Sequence, residues 1–134
     1  MTGKKKKSAG FFSARRGATA VEFALIAPVV IMLIMGILEL GRFFYTRATM
    51  QFVCEEAGRW AMMNTSAAES AIKSQAETTA STLGPASKAT YTAVIEAGTP
   101  NFANIQATYT FDFMIPMINF SDITITAKSR VPLL

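Results

Sequence analysis

AVEFALIAPVVIMLIMGILELG, residues 20–41, decides how the rest of the chain must fold. From Phe23 to Leu38 it holds sixteen residues without a charge or strongly polar group, and between Ala18 and Gly41 only Glu22 and Glu39 interrupt its apolar character. About 20 residues at a rise of 1.5 Å each cross a hydrocarbon core of about 30 Å. A helix buried in a soluble protein would show a polar face, and this one has none. A secretory signal peptide would have an apolar region of about 7–15 residues followed by a small-x-small cleavage site. This run is longer and leads into Glu39-Leu-Gly-Arg-Phe-Phe-Tyr45, which offers no such site. Residues 18–41 therefore read as a transmembrane helix.

The flanks give that helix a direction. Residues 1–17 carry Lys4, Lys5, Lys6, Lys7, Arg15 and Arg16 and no acid, whereas the remainder of the chain has seven basic and nine acidic side chains. The net charge of +4 is thus a cationic tail on a slightly acidic body. A nucleic-acid-binding protein spreads basic residues over its folded surface. Here they stand directly before the apolar run, which is the arrangement of a topology signal and argues against a nucleic-acid partner. The positive-inside rule places the N-terminus in the cytoplasm and residues 42–134 across the membrane. Arg42 and Arg47 follow the span but are offset by Glu39, Glu55 and Glu56.

Beyond the span the apolar period changes. Met50, Val53, Cys54, Ala57, Trp60 and Ala61 recur every three or four residues, with Gln51, Glu55, Glu56 and Arg59 opposite, so the first helix is expected to continue as an amphipathic helix from about Thr19 to Met63. Ser66-Ala-Ala-Glu69 has the spacing of a capping box and predicts the start of a short second helix, which Gly84-Pro85 should stop. From Lys88 the period becomes two: Tyr91, Ala93 and Ile95; Tyr109, Phe111 and Phe113; Ile123, Ile125 and Ala127. Turns fall at Gly98-Thr-Pro100-Asn101 and from Pro116 to Asp122. The expected fold is α+β and membrane-anchored: a long N-terminal transmembrane helix running into a soluble amphipathic one, a second short helix, and an antiparallel sheet of about three strands whose apolar face is covered by the Met50–Ala61 stripe. Three segments follow: a basic cytoplasmic leader at 1–17, the transmembrane helix at 18–41, and an extracytoplasmic α+β domain at 42–134.

Arg15-Arg16-Gly17-Ala18-Thr19-Ala20-Val21-Glu22-Phe23 resembles the processing site of type IV prepilins: a basic leader, a Gly, then an apolar run whose fifth residue is Glu. The resemblance implies that a prepilin peptidase on the cytoplasmic side cuts between Gly17 and Ala18. Gly suits a narrow protease cleft because it lacks a side chain. Glu22 is costly within a membrane, about 2.5–3.5 kcal/mol at the centre, so it is expected to find a partner. Cleavage would create an α-amine at Ala18, four residues away, and in pilin-like assemblies the corresponding Glu is thought to meet that amine on a neighbouring subunit. A second reading is local, since Thr19-x-x-Glu22 also has capping-box spacing.

The wider stretch is more specific. Glu22-Phe23, Pro28, Gly36-Ile-Leu-Glu39-Leu-Gly41-Arg42 and, downstream, Ala57-Gly58-Arg59 closely resemble the TadE-like family of pseudopilins from tight-adherence (Flp, type IVb) pilus and secretion systems, over about residues 15–60. Cys54-Glu55-Glu56-Ala57 is a variant of the family's usual sequence there. Major pilins of this class are usually much shorter, so the resemblance implies a minor pseudopilin or assembly factor, a pilin-like fold, and a bacterial inner-membrane protein that can enter the pilus. It also implies partners: prepilin peptidase, other pilin or pseudopilin subunits with the inner-membrane assembly platform, and the lipid bilayer. The alternative is an uncleaved single-pass membrane protein whose outer domain binds a partner or envelope component.

The remaining signals are local. Pro28 removes a backbone hydrogen bond and either kinks the helix or is tolerated. Glu39 and Arg42, three apart, can pair on one face at the outer membrane boundary, as an anchor or as a subunit contact. Gly36 and Gly41 are five apart and do not form a GxxxG face. Asn64-Thr-Ser66 and Asn119-Phe-Ser121 match the N-glycosylation pattern, which in a bacterium is chance. The single cysteine, Cys54, excludes an internal disulfide and reads as a packed small residue rather than a cross-link. With no His, and no Ser, Cys or carboxylate pair with a base partner, the sequence offers no catalytic site, metal site or cofactor.

Overall fold

A computed structural model describes residues 11–114 and 123–134, with side chains from Gly17 onward. Most of the leader, the turn expected from Pro116 to Asp122 and the Asn119 pattern lie outside the described residues. The chain divides into two units between Leu38 and Glu39.

The first unit is the N-terminal part of helix α1 (Phe11–Met63). Among the described residues its apolar side chains have nothing to pack on: Phe23 and Leu25 are each 72% exposed and Leu33 65%. The chain thus has an N-terminal helix long and apolar enough to cross a membrane, and the apolar window is wholly unburied. That removes the reading of a core helix, whose side chains would be covered. The helix passes through Pro28. It also begins earlier than expected, at Phe11 rather than near Thr19. Once the long apolar helix has formed, each added residue gains a hydrogen bond without a new nucleation cost, so a short run of Phe, Ser, Ala and Arg can extend it backward.

The second unit begins at Glu39 and contains the rest of α1, helix α2 (Glu69–Ser81), a 3-10 turn at Gly84–Lys88, and strands β1 (Thr90–Glu96), β2 (Asn101–Phe111) and β3 (Ile123–Leu133). The strands form one antiparallel sheet in the order β1-β2-β3, with Tyr91 opposite Ala107 and Tyr109 opposite Ile125. This is the expected α+β architecture. The Met50–Ala61 stripe covers the sheet's apolar face: Met50, Val53, Cys54, Ala57 and Ala61 are fully buried in one core with Ile72, Ile105 and Phe111. Trp60 is only half-buried, at the margin of that core. Tyr91 is buried among them and its hydroxyl donates to the Ala86 carbonyl at 2.9 Å, so its one polar group is satisfied.

Three expectations need correction. The capping box at Ser66 does not form: α2 starts at Glu69, its N-cap is Ala68, and no side chain caps it. The Glu69 carboxylate accepts instead from the backbone N–H of Ile95 at 2.6 Å. Tying α2 to the sheet competes for the same carboxylate and wins. At the far end α2 stops at Ser81, and Gly84-Pro85 opens the 3-10 turn instead of ending the helix, with Gly84 at φ 53° and Pro85 in the first turn where its missing N–H costs nothing. Strand β2 is also longer than its Tyr109–Phe113 signal, since Ala103, Ile105 and Ala107 are buried on the same face.

Candidate functional site

The sequence marks two places, one on each unit. In the first, Gly17, Ala18 and Glu22 lie within α1 and are exposed, and Phe23 is exposed too. A Cβ at Gly17 would meet nothing within 4 Å, so nothing in the chain's own packing calls for glycine there. In a helix interior Gly costs roughly 0.8–1.0 kcal/mol relative to Ala, which lowers the cost of unwinding the helix at this point into an extended strand. Thr19 stands well inside α1 and cannot be its N-cap, so the capping-box reading of Thr19-x-x-Glu22 is overturned. Among the described residues the Glu22 carboxylate has no hydrogen-bond or ion-pair partner.

In the second place Glu39 and Arg42 do pair, at 3.0 Å between Oε1 and Nη1. The pair is more than the local contact that the spacing offers. Glu39 is 7% exposed, and its Oε1 also accepts the Met114 backbone N–H at 3.0 Å. Arg42 Nη2 donates to the Asp112 carbonyl at 2.9 Å, and its guanidinium lies 4.8 Å from the centre of the Phe111 ring. Together they clamp α1 to the C-terminal end of β2. Thr46, one turn on, is 2% exposed and donates its hydroxyl to the Arg42 carbonyl. Glu39 Oε2 is buried and without a hydrogen-bond partner among the described residues.

Spacing could not identify Asp112 and Met114 as partners, because both contribute backbone atoms. Gly58 was within reach. A Cβ there would stand 2.9 Å from Val131 Cγ1 and 3.2 Å from Ser129 Oγ, so α1 lies directly against β3. The signal is the run of small residues Cys54, Ala57, Gly58 and Ala61 on one helical face. Cys54 is fully buried with its thiol 3.8 Å from the Ala127 carbonyl, and burial pushes that thiol up to about 11. A thiol held protonated at neutral pH is a packing group, not a nucleophile.

These features define a membrane-anchored α+β protein: one exposed apolar helix that runs on into a small domain closed by a three-stranded sheet. Residues 17–59 match the model of a family described as TadE-like protein, so the resemblance read from the sequence holds over that stretch. The match begins at Gly17 and ends one residue past Gly58. Nothing matches among the curated proteins, and nothing among the solved structures.

Proposed function

We propose that this protein is a TadE-like minor pseudopilin that acts in assembly of a tight-adherence (Flp, type IVb) pilus or a related secretion apparatus, after prepilin peptidase cuts between Gly17 and Ala18. The observation that carries the reading is the family match itself, which starts at Gly17 and runs along the exposed apolar helix. Three features of the chain support it. A Cβ at Gly17 would meet nothing within 4 Å, so no contact within the fold competes with a protease for that position. Glu22 has no partner of its own among the described residues and is free for an amine supplied by a neighbouring subunit. The apolar side chains of the helix are uncovered, as a segment must be that exchanges lipid for other pilin helices. In this role the chain is a structural partner in the bacterial inner membrane and not a catalyst.

Mass spectrometry of the protein made with and without its prepilin peptidase tests the proposal. The expected product lacks Met1–Gly17 only when the enzyme is active, and Gly17→Val abolishes that loss while leaving the domain folded. An intact leader in the presence of active peptidase would sink the reading and favour an uncleaved single-pass protein.

A further inference from the structure

The Gly17–Ala18 bond lies inside a helix, because α1 begins at Phe11. In an α-helix each carbonyl accepts from the N–H four residues on. By that pattern the Val21 N–H holds the Gly17 carbonyl, and the Ala14 carbonyl holds the Ala18 N–H. Hydrolysis adds water to the Gly17 carbonyl carbon and breaks its bond to the Ala18 nitrogen, which leaves a carboxylate on Gly17 and an ammonium on Ala18. Both sides of the bond must first be freed from the helix. Opening α1 in its middle creates two new helix ends with orphan N–H and C=O groups. Uncoiling from Phe11 only moves an end that already exists, so it is the cheaper route. Phe11-Phe-Ser-Ala-Arg-Arg-Gly17 then sets the cost of exposing the bond. Phe, Ser and Gly are weaker helix formers than Ala, and the first turn has no acid to complement the positive end of the helix dipole. Gly17, Ala18 and Ala20 are exposed and Val21 is 61% exposed, so uncoiling as far as the bond strips no buried side chain from residues 17–21.

We propose, on the reading of Gly17–Ala18 as the cut bond, that residues 11–16 set the rate of cleavage through their helix propensity. The peptidase acts on the fraction of chains in which α1 is uncoiled from Phe11 through Ala18. The leader thus has a second role beside orientation, because its last residues are the helical turns that hold the bond closed. Those turns leave with the leader once the bond is cut.

Two rates measured on the full chain in detergent test it: the initial rate of leader loss with purified prepilin peptidase at low substrate, and hydrogen exchange of the Ala18 backbone amide by NMR without the enzyme. Detergent removes orientation as a variable. Ala14→Val lowers helix propensity and favours extended backbone, so it should speed both rates by up to about threefold. Phe12→Ala combined with Ser13→Ala raises propensity at positions five and six residues before the bond, and should slow both by about two- to threefold. Exchange that shifts while cleavage stays constant shows that uncoiling does not limit cleavage and overturns the proposal. Cleavage that shifts while exchange stays constant shows that the peptidase reads these side chains directly and overturns it too, as does no shift in either rate. All three results leave Gly17–Ala18 as the cut bond. An unsubstituted chain that active peptidase does not cut there overturns that reading and the proposal with it.

Discussion

The Glu39 carboxylate sits in an asymmetric position. One oxygen serves two donors, and the other is buried without any among the described residues. Removing its cationic partner leaves a buried charge poorly matched, which costs far more than the pair contributes when intact. Arg42→Ala is therefore expected to destabilise the domain by about 1–3 kcal/mol, with loss of the Asp112 contact as well. Glu39→Gln keeps an acceptor for the Met114 N–H and removes the buried charge, so it should cost less. Urea unfolding of the full chain in detergent, followed through the fluorescence of the single tryptophan Trp60, ranks the two; a Glu39→Gln midpoint below that of Arg42→Ala would contradict the account. The buried acids of the core make a second prediction. Burial raises the Cys54 thiol from 9.0 to about 11 and the Tyr91 hydroxyl from 10.0 to about 12, the latter helped by Cys54. Unfolding releases these protons earlier than the folded state does, so stability is full below about pH 9 and falls as pH rises through 9–12. Cys54→Ala should delay the onset of that alkaline loss to above about pH 10, where Tyr91 alone remains. An unchanged onset in the same unfolding assay would assign the loss to other groups.

At the scale of elements, α1 depends on how closely one face can approach the sheet. Cys54, Ala57, Gly58 and Ala61 keep that face shallow, and Gly58 is the tightest point. Gly58→Ala places a methyl within 2.9 Å of a β-branched Val131 that has little rotamer freedom to yield. Overpacking of this kind costs typically 1–3 kcal/mol, which outweighs the roughly 0.8–1.0 kcal/mol that Ala gains in helix propensity. The variant is expected to unfold at lower urea, and Val131→Ala in the same chain should recover part of the loss. A midpoint at or above that of the unsubstituted chain would show that the helix can lift off β3 freely. Much of this layer was legible in the sequence, because the Met50–Ala61 stretch of α1, β1, the end of β2 and the start of β3 each carry an apolar period. The stripe from Met50 to Ala61 named the face that covers the sheet, and the helix ends at Met63 as its pattern does. The failures lie where local chemistry and tertiary contacts compete. Ser66 and Glu69 have the spacing of a cap, but Glu69 reaches the edge-strand N–H of Ile95. The first half of β2 has small Ala103 and Ala107 on its inner face, so its alternation is too faint for hydropathy to register. The Glu39–Arg42 pair was legible as a pair, but its partners on β2 are backbone atoms, which no side-chain pattern announces.

At the scale of the whole chain, the charges and the apolar helix act as one device whose parts can be set against each other. Six basic residues precede the span and only Arg42 and Arg47 follow it closely. The positive-inside rule counts Lys and Arg within about 15–20 residues of the span and gives acids little weight. The chain should therefore insert with residues 42–134 outside. Protease added to intact spheroplasts is expected to digest the domain while sparing the leader. Exchanging Lys4–Lys7, Arg15 and Arg16 for Gln leaves Arg42, Arg47 and Arg59 as the basic residues near the span, all on its C-terminal side, and the bias should reverse, so that most of the domain becomes protected until the cells are lysed. The same reversal carries Gly17 and Ala18 away from the cytoplasmic face, so peptidase processing should fall in proportion to the inverted fraction, although neither residue of the bond has changed. Protection of the domain in the unsubstituted chain would refute the orientation. Processing that persists in the inverted chains would show that the depth and side of the bond do not govern its cleavage.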